Sequence, residues 1–252
     1  MRPLVELRDV EKRFGQVAAL RGVSFAVYPG EVHCLLGDNG AGKSTLIRIL
    51  SGVFAPTRGT YLWEGRPIRL SSPGEAMALG IATVYQDLAL FPWMSVWRNF
   101  ILGREGLYAS RGILRIRAAQ QETQRALEDL GVDVGDVDRP LATLSGGQRQ
   151  AVAIARAVHM GARLLILDEP TSALGVRQAA LVLRVIRRMR DMGLGVVFIT
   201  HNPLHALAVG DRFTVLYLGQ SLGTFAKGEV GREQLTELMA GGRSMEELEV
   251  EG

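Results

Sequence analysis

The sequence predicts an α/β fold in which a mixed sheet with flanking helices carries an antiparallel β subdomain and an inserted α-helical subdomain. Three observations support this prediction. Short apolar runs at Glu31–Leu36 and Leu164–Leu167 have the length of buried strands, a glycine-rich loop follows the first run, and helix-forming composition dominates from about Asp87 to Gly161. With 252 residues, 47% hydrophobic and 22% charged, the chain has the composition of a folded globular protein.

Strands dominate the first part of the chain. Val23, Phe25 and Val27 alternate with small or polar residues, which is the two-residue period of a half-buried strand. Pro29-Gly30 marks the turn that precedes the buried run Glu31–Leu36.

The middle of the chain predicts one helix, two strands and then the helical insertion. The spacing of Ser44–Leu50 is helical, and strands are expected at Thr60–Trp63 and Ile81–Gln86. Residues from about 87 to 161 form the predicted helical subdomain, because helical segments there are separated by Gly and Pro. One of its helices has an apolar face made by Ile116, Ala119, Ala126, Leu127 and Leu130.

The last third returns to the α/β pattern. The buried strand Leu164–Leu167 is followed by a helix at Arg177–Met192 and a strand at Gly195–Thr200. Arg212–Leu218 and Ser221–Phe225 are expected to form the two strands of a hairpin, and Glu233–Met239 a last helix. Because no internal repeat or low-complexity linker divides the sequence, we predict one domain over residues 1–240 and an acidic tail at 241–252.

Composition narrows the classes of function. The net charge of +3 suits an anionic membrane face or a nucleic acid, but a weakly basic solvated surface explains it as well, and we expect no nucleic-acid partner. The single cysteine, Cys34, excludes an internal disulfide framework and lies in an apolar run typical of a core position. No stretch approaches the roughly 20 apolar residues of a membrane-spanning helix, so work at a membrane would require a partner protein.

A phosphate-binding loop lies between the first buried strand and the first helix. Its glycines allow backbone N–H groups to approach phosphate oxygens, and the helix directs its positive end at the same charge. We expect Lys43 to reach the β- and γ-phosphates of a nucleoside triphosphate and Ser44 to ligate Mg²⁺. The core is therefore predicted to be of the P-loop NTPase type, with a loop made of Gly37, Asp38, Asn39, Gly40, Ala41, Gly42, Lys43, Ser44 and Thr45.

Two carboxylates end the buried strand Leu164–Leu167. Asp168 is suited to hold Mg²⁺, usually through water, and Glu169 is placed to polarise an attacking water as general base. Acids at a strand end are common by chance. Downstream of a phosphate loop, they are the expected second half of an ATPase site.

A second glycine loop opens another helix. Two glycines and a serine at a helix start form an anion-binding cap with exposed N–H groups. Because one nucleotide does not need two such caps in one domain, this loop is expected to contact the γ-phosphate held by a neighbouring subunit. An ordinary helix cap is the weaker alternative for Ser145, Gly146, Gly147 and Gln148, which follow Leu144.

These motifs, in this order, resemble those of ATP-binding cassette (ABC) ATPases over nearly the whole chain. The resemblance implies that Phe14 stacks on adenine, that Gln86 contacts Mg²⁺ and senses the γ-phosphate, and that His201 bridges the γ-phosphate and the attacking water. It also implies that Ser145, Gly147 and Gln148 contact the partner's ATP. Each of these residues also has an ordinary structural interpretation when it is considered alone. Phe14 would be a core residue, Gln86 a solvent-exposed surface residue, and His201 a structural histidine with satisfied hydrogen bonds. Their spacing around the two loops favours the functional interpretation.

One position departs from the family pattern. After Pro170–Leu174 most members place an aspartate that helps couple the two sites of the dimer, and this chain has Gly175. The departure puts tight coupling in doubt, whereas Glu169 and His201 are retained for hydrolysis.

Several stretches resemble the ATPases of bacterial monosaccharide importers of the fructose and ribose type, among them Thr83–Leu90, Ser172–Gln178 and Thr200–Asn202. The resemblance implies a homodimer held by integral membrane permease subunits at the cytoplasmic face of the inner membrane. It further implies a periplasmic or extracellular sugar-binding protein as an indirect partner. We expect Trp93 and Trp97, in the apolar segment after Gln86, to lie at or beside the permease interface.

Rival functions remain open at this point. An exporter ATPase shares all these motifs. A soluble ABC ATPase of translation or DNA repair is disfavoured, because the chain has neither a second cassette nor a long coiled coil. A phosphate-loop kinase or GTPase is disfavoured by the loop Leu144–Gln148.

Overall fold

A computed structural model describes residues 2–110 and 112–242 of the chain. The strands are β1 (Val5–Phe14), β2 (Val17–Val27), β3 (Val32–Leu36), β4 (Arg58–Trp63), β5 (Arg66–Pro67), β6 (Ile81–Val84), β7 (Ala109–Ser110), β8 (Ile113–Leu114), β9 (Leu164–Asp168), β10 (Gly195–Ile199), β11 (Arg212–Tyr217) and β12 (Gln220–Ala226). The helices are α1 (Lys43–Leu50), α2 (Pro73–Ala78), α3 (Val96–Ile101), α4 (Ile116–Asp129), α5 (Gly146–His159), α6 (Val176–Asp191), α7 (Pro203–Val209) and α8 (Arg232–Met239). Single 3₁₀ turns occupy Glu105–Tyr108 and Leu141–Thr143.

Two sheets form the α/β part of the fold. The larger has six strands in the order β12-β11-β3-β10-β9-β6. Every neighbouring pair in it is parallel except β11 and β12, which form an antiparallel hairpin. The smaller sheet is β2-β1-β4-β5, and its pairs are all antiparallel. The predicted fold class, with a mixed sheet and an antiparallel β subdomain, is confirmed.

The six-stranded sheet separates two hydrophobic clusters. In the central strand β3, Val32, Cys34 and Leu36 face one cluster while Leu35 faces the other, because successive side chains of a strand point to opposite faces. The first cluster is covered by α5, α6 and the helical insertion, and the second by α1 and the antiparallel sheet. Burial on both faces explains why the central strands are continuous apolar runs. Cys34 is fully buried, as predicted.

The helical insertion differs from the prediction in two respects. A short hairpin, β7–β8, lies between α3 and α4 and has no clear pattern in the sequence. The buried face of α4 consists of Ala119, Thr123 and Leu127, whereas Ile116 is 46% exposed. Ile116 is thus wrongly assigned to the apolar face, because the helix begins at this residue and its side chain extends beyond the packed region.

Two short helices were not predicted. Both α2 and α7 have a capping residue followed by proline: Ser72-Pro73 for α2 and Asn202-Pro203 for α7. The proposed division into residues 1–240, with a subdomain at 87–161, stays a prediction. Of the acidic tail predicted at 241–252, residues 243–252 lie outside the described residues. No helix within residues 2–110 and 112–242 is long and apolar enough to cross a membrane.

Candidate nucleotide site

The phosphate loop joins β3 to α1, and close backbone contacts fix its shape. Gly37 has φ 146°, and a Cβ there would collide with the carbonyl oxygen of Leu216. Gly42 has φ 105°, and a Cβ there would lie 2.9 Å from Leu20 Cδ2. Glycine is needed at both positions, since each combines left-handed backbone with a tight neighbour.

Lys43 is buried and folds back over the loop that precedes it. Its Nζ donates hydrogen bonds to the carbonyl oxygens of Gly37, at 2.7 Å, and Asp38, at 3.0 Å. Burial lowers the pKa of Lys43, while the carboxylates of Glu169, Asp38 and Asp168 act in the opposite direction. The ammonium group thus lies in the field of three acids, where the terminal phosphates of a nucleotide would add negative charge.

The start of α1 is open to an anion. Gly42 is its N-cap residue in left-handed conformation, no described side chain caps the helix, and its first turn holds no acid. Gly40, at φ 81°, has no atom within 4 Å of a would-be Cβ. The cleft beside the loop has a volume of about 350 Å³ and is lined by Asp38–Thr45 together with Val17, Ala18, Ala19, Arg21, Leu218 and Gly219. Uncapped N–H groups facing an open cleft fit a phosphate ligand.

Asp168 and Glu169 lie at the carboxyl end of β9, beside the end of β10. Burial and the neighbouring Glu169 carboxylate raise the pKa of Asp168, and Lys43 opposes this rise. Glu169 has φ 50°, which is unusual for a residue with a side chain.

Glu169 and His201 are in direct contact. The distance from His201 Nδ1 to Glu169 Oε1 is 2.9 Å, because β9 and β10 are parallel neighbours with Ile199 opposite Asp168. A carboxylate without a proton only accepts hydrogen bonds, so in that form of the pair Nδ1 donates and Nε2 is left for another partner. Glu169 Oε2 is buried and has no hydrogen-bond partner among the described residues. The pair therefore keeps one oxygen and one nitrogen available.

The donor set suits Mg²⁺ better than a transition metal. The three residues predicted to ligate the ion, Ser44, Gln86 and Asp168, have side-chain oxygens, which Mg²⁺ prefers, and a single carboxylate beside substrate phosphates is its common arrangement. Within the described residues, no group of three or more His, Cys, Asp or Glu could hold a metal by itself. These residues fit an ion that arrives with its nucleotide.

Two predicted residues lie at the edge of this arrangement. Gln86 is exposed in the turn after β6, next to Tyr85, whose hydroxyl lies 3.3 Å from Ser51 Oγ. Phe14 is 43% exposed at the end of β1 and packs edge-on against Phe54 with ring centroids 5.2 Å apart. Their roles toward a nucleotide stay predictions. The cleft is lined by Val17, the β2 residue paired with Phe14, and not by Phe14 itself.

The second loop is closed by its own residues. Ser145 Oγ accepts a hydrogen bond from Gln148 N at 3.3 Å, and Gln148 Oε1 accepts one from Ser145 N at 3.0 Å. Gln148 Nε2 also donates to the carbonyl oxygen of Asp133 at 2.8 Å. A Cβ at Gly147 would lie 2.9 Å from the Gln178 carbonyl oxygen in α6. The glycine thus serves helix packing in this chain, and contact with a partner's ATP stays a prediction.

The sequence alone did not reveal the wall of the cleft formed by the β11–β12 turn. Gly219 N donates to the carbonyl oxygen of Ala41 at 3.0 Å, and Arg21 N donates to the carbonyl oxygen of Gly219 at 2.8 Å. The turn thereby connects the phosphate loop to β2. Positive φ at Leu218 and Gly219 marks a tight hairpin, but its position against the loop depends on tertiary packing.

The fold and the two loops define a nucleotide-binding α/β protein with a phosphate loop and an acid–histidine pair at the ends of parallel strands. Residues 20–172 match the protein-family profile for ABC transporters. The chain belongs to this family, as its resemblance to ABC ATPases indicated. It is an ATPase whose hydrolysis of ATP is coupled to transport.

Similar curated proteins carry names of sugar-import subunits. The chain is 45% identical over 239 residues to the xylose/arabinose import ATP-binding protein XylG of Sulfolobus acidocaldarius, covering 95% of this chain and 94% of the relative. It is 44% identical to the fructose import ATP-binding protein FrcA of Rhizobium meliloti, covering 87% of each. The ribose import ATP-binding protein RbsA 1 of Rubrobacter xylanophilus is 45% identical, but the chain spans only 48% of it.

Solved structures of ATP-binding cassettes share the fold. The cassette MJ1267 in its ADP conformation has a TM-score of 0.81 at 25% identity, covering 95% of this chain and 96% of that one. The dimeric post-hydrolysis state of the cassette MJ0796, bound to ADP and phosphate, has a TM-score of 0.73 at 25% identity over 88% of this chain and 98% of that one.

Proposed function

We propose that this chain is the ATP-hydrolysing subunit of an importer that takes up a monosaccharide. Two copies would associate head to tail around two ATP molecules and drive uptake through partner membrane subunits. The observation that carries the proposal is the Glu169–His201 pair, whose hydrogen bond of 2.9 Å leaves Glu169 Oε2 without a partner among the described residues. The names of the relatives XylG, RbsA and FrcA support a sugar as the transported substrate.

The pair has the chemistry of a general base and its orienting group. Glu169 Oε2 accepts a proton from a water molecule while the oxygen of that water attacks the γ-phosphorus of ATP. The bond between the γ-phosphorus and the β–γ bridging oxygen breaks, and ADP leaves. His201 Nδ1–H holds the other carboxylate oxygen in place. The His201 side chain is 63% exposed, and its Nε2 would be in reach of a terminal phosphate or the attacking water.

The phosphate loop and its acids bind and orient the nucleotide. Lys43 neutralises charge on the β- and γ-phosphates, and the uncapped start of α1 donates backbone N–H groups. When bound, Mg²⁺ would neutralise the developing phosphate charge, with Ser44, Gln86 and Asp168 as its protein donors. Phe14 would stack on the adenine ring.

A second copy completes the site in this proposal. Ser145, Gly146, Gly147 and Gln148 would contact the ATP held by the partner copy, and the dimeric state of the similar cassette MJ0796 supports such an arrangement. Gly175 is the N-cap residue of α6 and lies near this loop, since a Cβ at Gly146 would be 2.8 Å from Leu174 Cδ2 and a Cβ at Gly147 would be 2.9 Å from the Gln178 carbonyl oxygen. In the proposed dimer, Gly175, which replaces the aspartate of most family members, therefore lies next to the loop that would contact the partner's nucleotide.

Permease subunits are the proposed membrane partners, and they would place the chain at the cytoplasmic face of the inner membrane. An apolar groove of about 200 Å³ lies beside the segment that contains Gln86, and the residues that line it include Tyr85, Leu88, Arg156 and Met160. Trp93 is 87% exposed near this segment, which supports its place at the interface. Trp97 is buried and its Nε1 donates to Asp138 Oδ1 at 2.7 Å, so this side chain is proposed to lie beside the interface and not within it. A periplasmic or extracellular sugar-binding protein would be the indirect partner.

Substitution of the proposed base tests the chemistry. We expect Glu169→Gln to lower ATP turnover by about 10²–10⁴-fold and to give a dimer that is stable in ATP by size-exclusion chromatography. Glu237→Gln, at an exposed carboxylate in α8, is the matched control. His201→Ala combined with Glu169→Gln should cost little more than either alone, because the two residues act as a unit. A variant Glu169→Gln that stays monomeric in ATP and keeps wild-type turnover would refute the assignment.

Reconstitution tests the transport direction. The chain is purified with its membrane subunits, placed in proteoliposomes, and supplied with ATP on the side that carries the chain. Import predicts that radiolabelled xylose, ribose or fructose moves across the membrane from the opposite side to the side on which ATP is hydrolysed. Movement in the opposite direction would favour the exporter alternative and leave the ATPase assignment intact.

A further inference from the structure

We propose that a patch of exposed apolar and basic side chains on the helical insertion binds the surface of an anionic lipid bilayer. The patch combines the end of the 3₁₀ turn Glu105–Tyr108, the outer side of β8 and the first turn of α4. Its six members are Arg104, Leu107, Ile113, Arg115, Ile116 and Arg117.

The apolar members are unusually exposed for their size. Leu107 is 60% exposed, Ile113 is 73% exposed and Ile116 is 46% exposed. They belong to one small unit of structure, because Ser110 pairs with Ile113 in the hairpin and Arg115 N donates to the carbonyl oxygen of Tyr108 at 2.8 Å. Three exposed aliphatic side chains within one such unit indicate a surface that is covered in use.

The basic members alternate with or flank the apolar members along the chain. Arg104, Arg115 and Arg117 are exposed, and Glu105 is the one acid within the described residues 104–117. Among the described residues, Arg104, Arg115 and Arg117 form no ion pair, and the ion pairs at the next turn of α4 join Glu122 to Arg125 and His159. Aliphatic side chains flanked by arginines match a bilayer interface, where acyl chains lie below anionic phosphates.

The start of α4 adds an independent argument. Arg115 is its N-cap residue and Arg117 lies in its first turn, which contains no acid, and no described side chain caps the helix. Cations at a helix N-terminus oppose the helix dipole, so this arrangement lowers the stability of the isolated chain. Headgroup phosphates at this position would interact favourably with both the arginines and the uncapped N–H groups.

The patch adjoins the groove that is proposed for the permease. Arg104 Nη2 donates to the carbonyl oxygen of Met160 at 2.9 Å, and Met160 lines that groove. The argument from the position of the patch beside the permease groove rests on the proposed function. The exposure of the aliphatic side chains and the charges of the arginines do not depend on it. A second copy is a poorer occupant, since a stable dimer buries about 800 Å² on each partner and the patch offers only a few side chains.

Co-sedimentation with vesicles tests the inference on the purified chain, without permease and without ATP. We expect binding at low salt to vesicles of phosphatidylglycerol and phosphatidylcholine, and none to phosphatidylcholine alone. The triple variant with Arg104, Arg115 and Arg117 changed to Gln should bind on the order of 100-fold more weakly, since each arginine contributes roughly fivefold. The double variant L107S/I113S should lose roughly tenfold or more, since each side chain loses its burial in the interface.

The matched control is R177Q/R184Q/R188Q, which removes three exposed arginines from α6. Binding that falls equally in the control and in the patch variants would mean unspecific attraction and would overturn the proposal. Wild-type protein that does not bind anionic vesicles would also overturn it. Patch variants that keep vesicle binding but lose co-purification with the membrane subunit would make the patch a protein interface instead. Unchanged ATPase activity and circular dichroism of the variants show that they are folded, and the ATPase measurement reports on the proposed function separately.

Discussion

The two glycine loops of this protein differ in what their polar groups do before any ligand arrives. In the phosphate loop, Gly40 faces open space and the start of α1 lacks a side-chain cap. In the loop Leu144–Gln148, Ser145 and Gln148 cap each other, and the glycines pack against α6. Both loops begin a helix, yet one presents free donors and the other has satisfied its own.

This difference indicates a division of labour between the loops. A single copy of the chain already has a phosphate loop with a defined shape, an inward-directed lysine and an uncapped helix. The second loop is a stable helix start in the free chain, and it would add contacts to a nucleotide only through the hydroxyl hydrogen of Ser145 and remaining backbone groups. Nucleotide binding by one copy and association of two copies are thus expected to be separable by mutation.

The largest effect is expected within the phosphate loop. Gly37→Ala should lower the free energy of unfolding by about 3 kcal/mol or more and abolish nucleotide binding, because its Cβ would meet the backbone of Leu216. Gly40→Ala, which meets only open space, should cost about 1 kcal/mol through its positive φ. Urea denaturation and fluorescent-nucleotide titration measure both effects. Equal costs at the two positions would contradict the close contact at Gly37.

A similar pair tests the second loop as a packing element. Gly147→Ala should cost about 1–3 kcal/mol, since its Cβ would press against the Gln178 backbone. Gly146→Ala should cost less, because its Cβ would meet the mobile ends of Leu174 and Gln178 side chains. Denaturation of the free chain, without nucleotide, is the measurement. The reverse ranking would show that α5 and α6 pack differently.

Removing the cap separates the two loops functionally. Ser145→Ala should cost about 1 kcal/mol of stability, because the Gln148 N–H loses its acceptor. Nucleotide affinity of the monomer should stay unchanged, whereas ATP-dependent dimerisation in the Glu169→Gln background should weaken. Affinity is measured by calorimetry and dimerisation by analytical ultracentrifugation. A loss of monomer affinity would mean that the second loop acts on its own chain's nucleotide.

The smallest effect concerns the far end of α5, the helix that the second loop begins. Burial lowers the pKa of His159, with Glu122 acting against this shift and Arg104 adding to it. The unfolded chain therefore binds a proton at higher pH than the folded chain, and the free energy of unfolding should fall as pH decreases below the ordinary histidine value of about 6.5. Denaturation between neutral pH and mild acid should show a shallower fall for His159→Gln. Parallel curves for the two proteins would exclude this contribution.

Local motifs made much of the core predictable. The apolar run before Gly37 forms β3, and the alternation of Val23, Phe25 and Val27 appears as three buried positions of β2. Both patterns arise from the burial of neighbouring residues in one strand, so the sequence alone is enough to predict these two strands. Glu169 and His201 were assigned to one site by resemblance, and their contact depends on the parallel register of β9 and β10, which the sequence does not contain.

What the sequence did not predict depends on distant packing. Trp97 and Trp93 are four residues apart and equally apolar, yet α3 buries the first and leaves the second exposed. The contact of Gly147 with α6 is likewise invisible in a motif that suggests only anion binding. Whether a side chain is buried and what a glycine packs against depend on residues that are distant in sequence and become neighbours only in the complete fold.

The β11–β12 turn that rests on the phosphate loop has a consequence for biosynthesis. Gly37 is confined by Leu216, and Ala41 is hydrogen-bonded to Gly219, although these partners are far apart along the chain. A ribosome releases Gly37–Gly42 long before it releases the hairpin, so the nascent loop lacks its supports during most of translation. Capacity to bind nucleotide is therefore acquired late, when the C-terminal hairpin docks, and a chain truncated before Leu216 would retain the complete motif without a formed site.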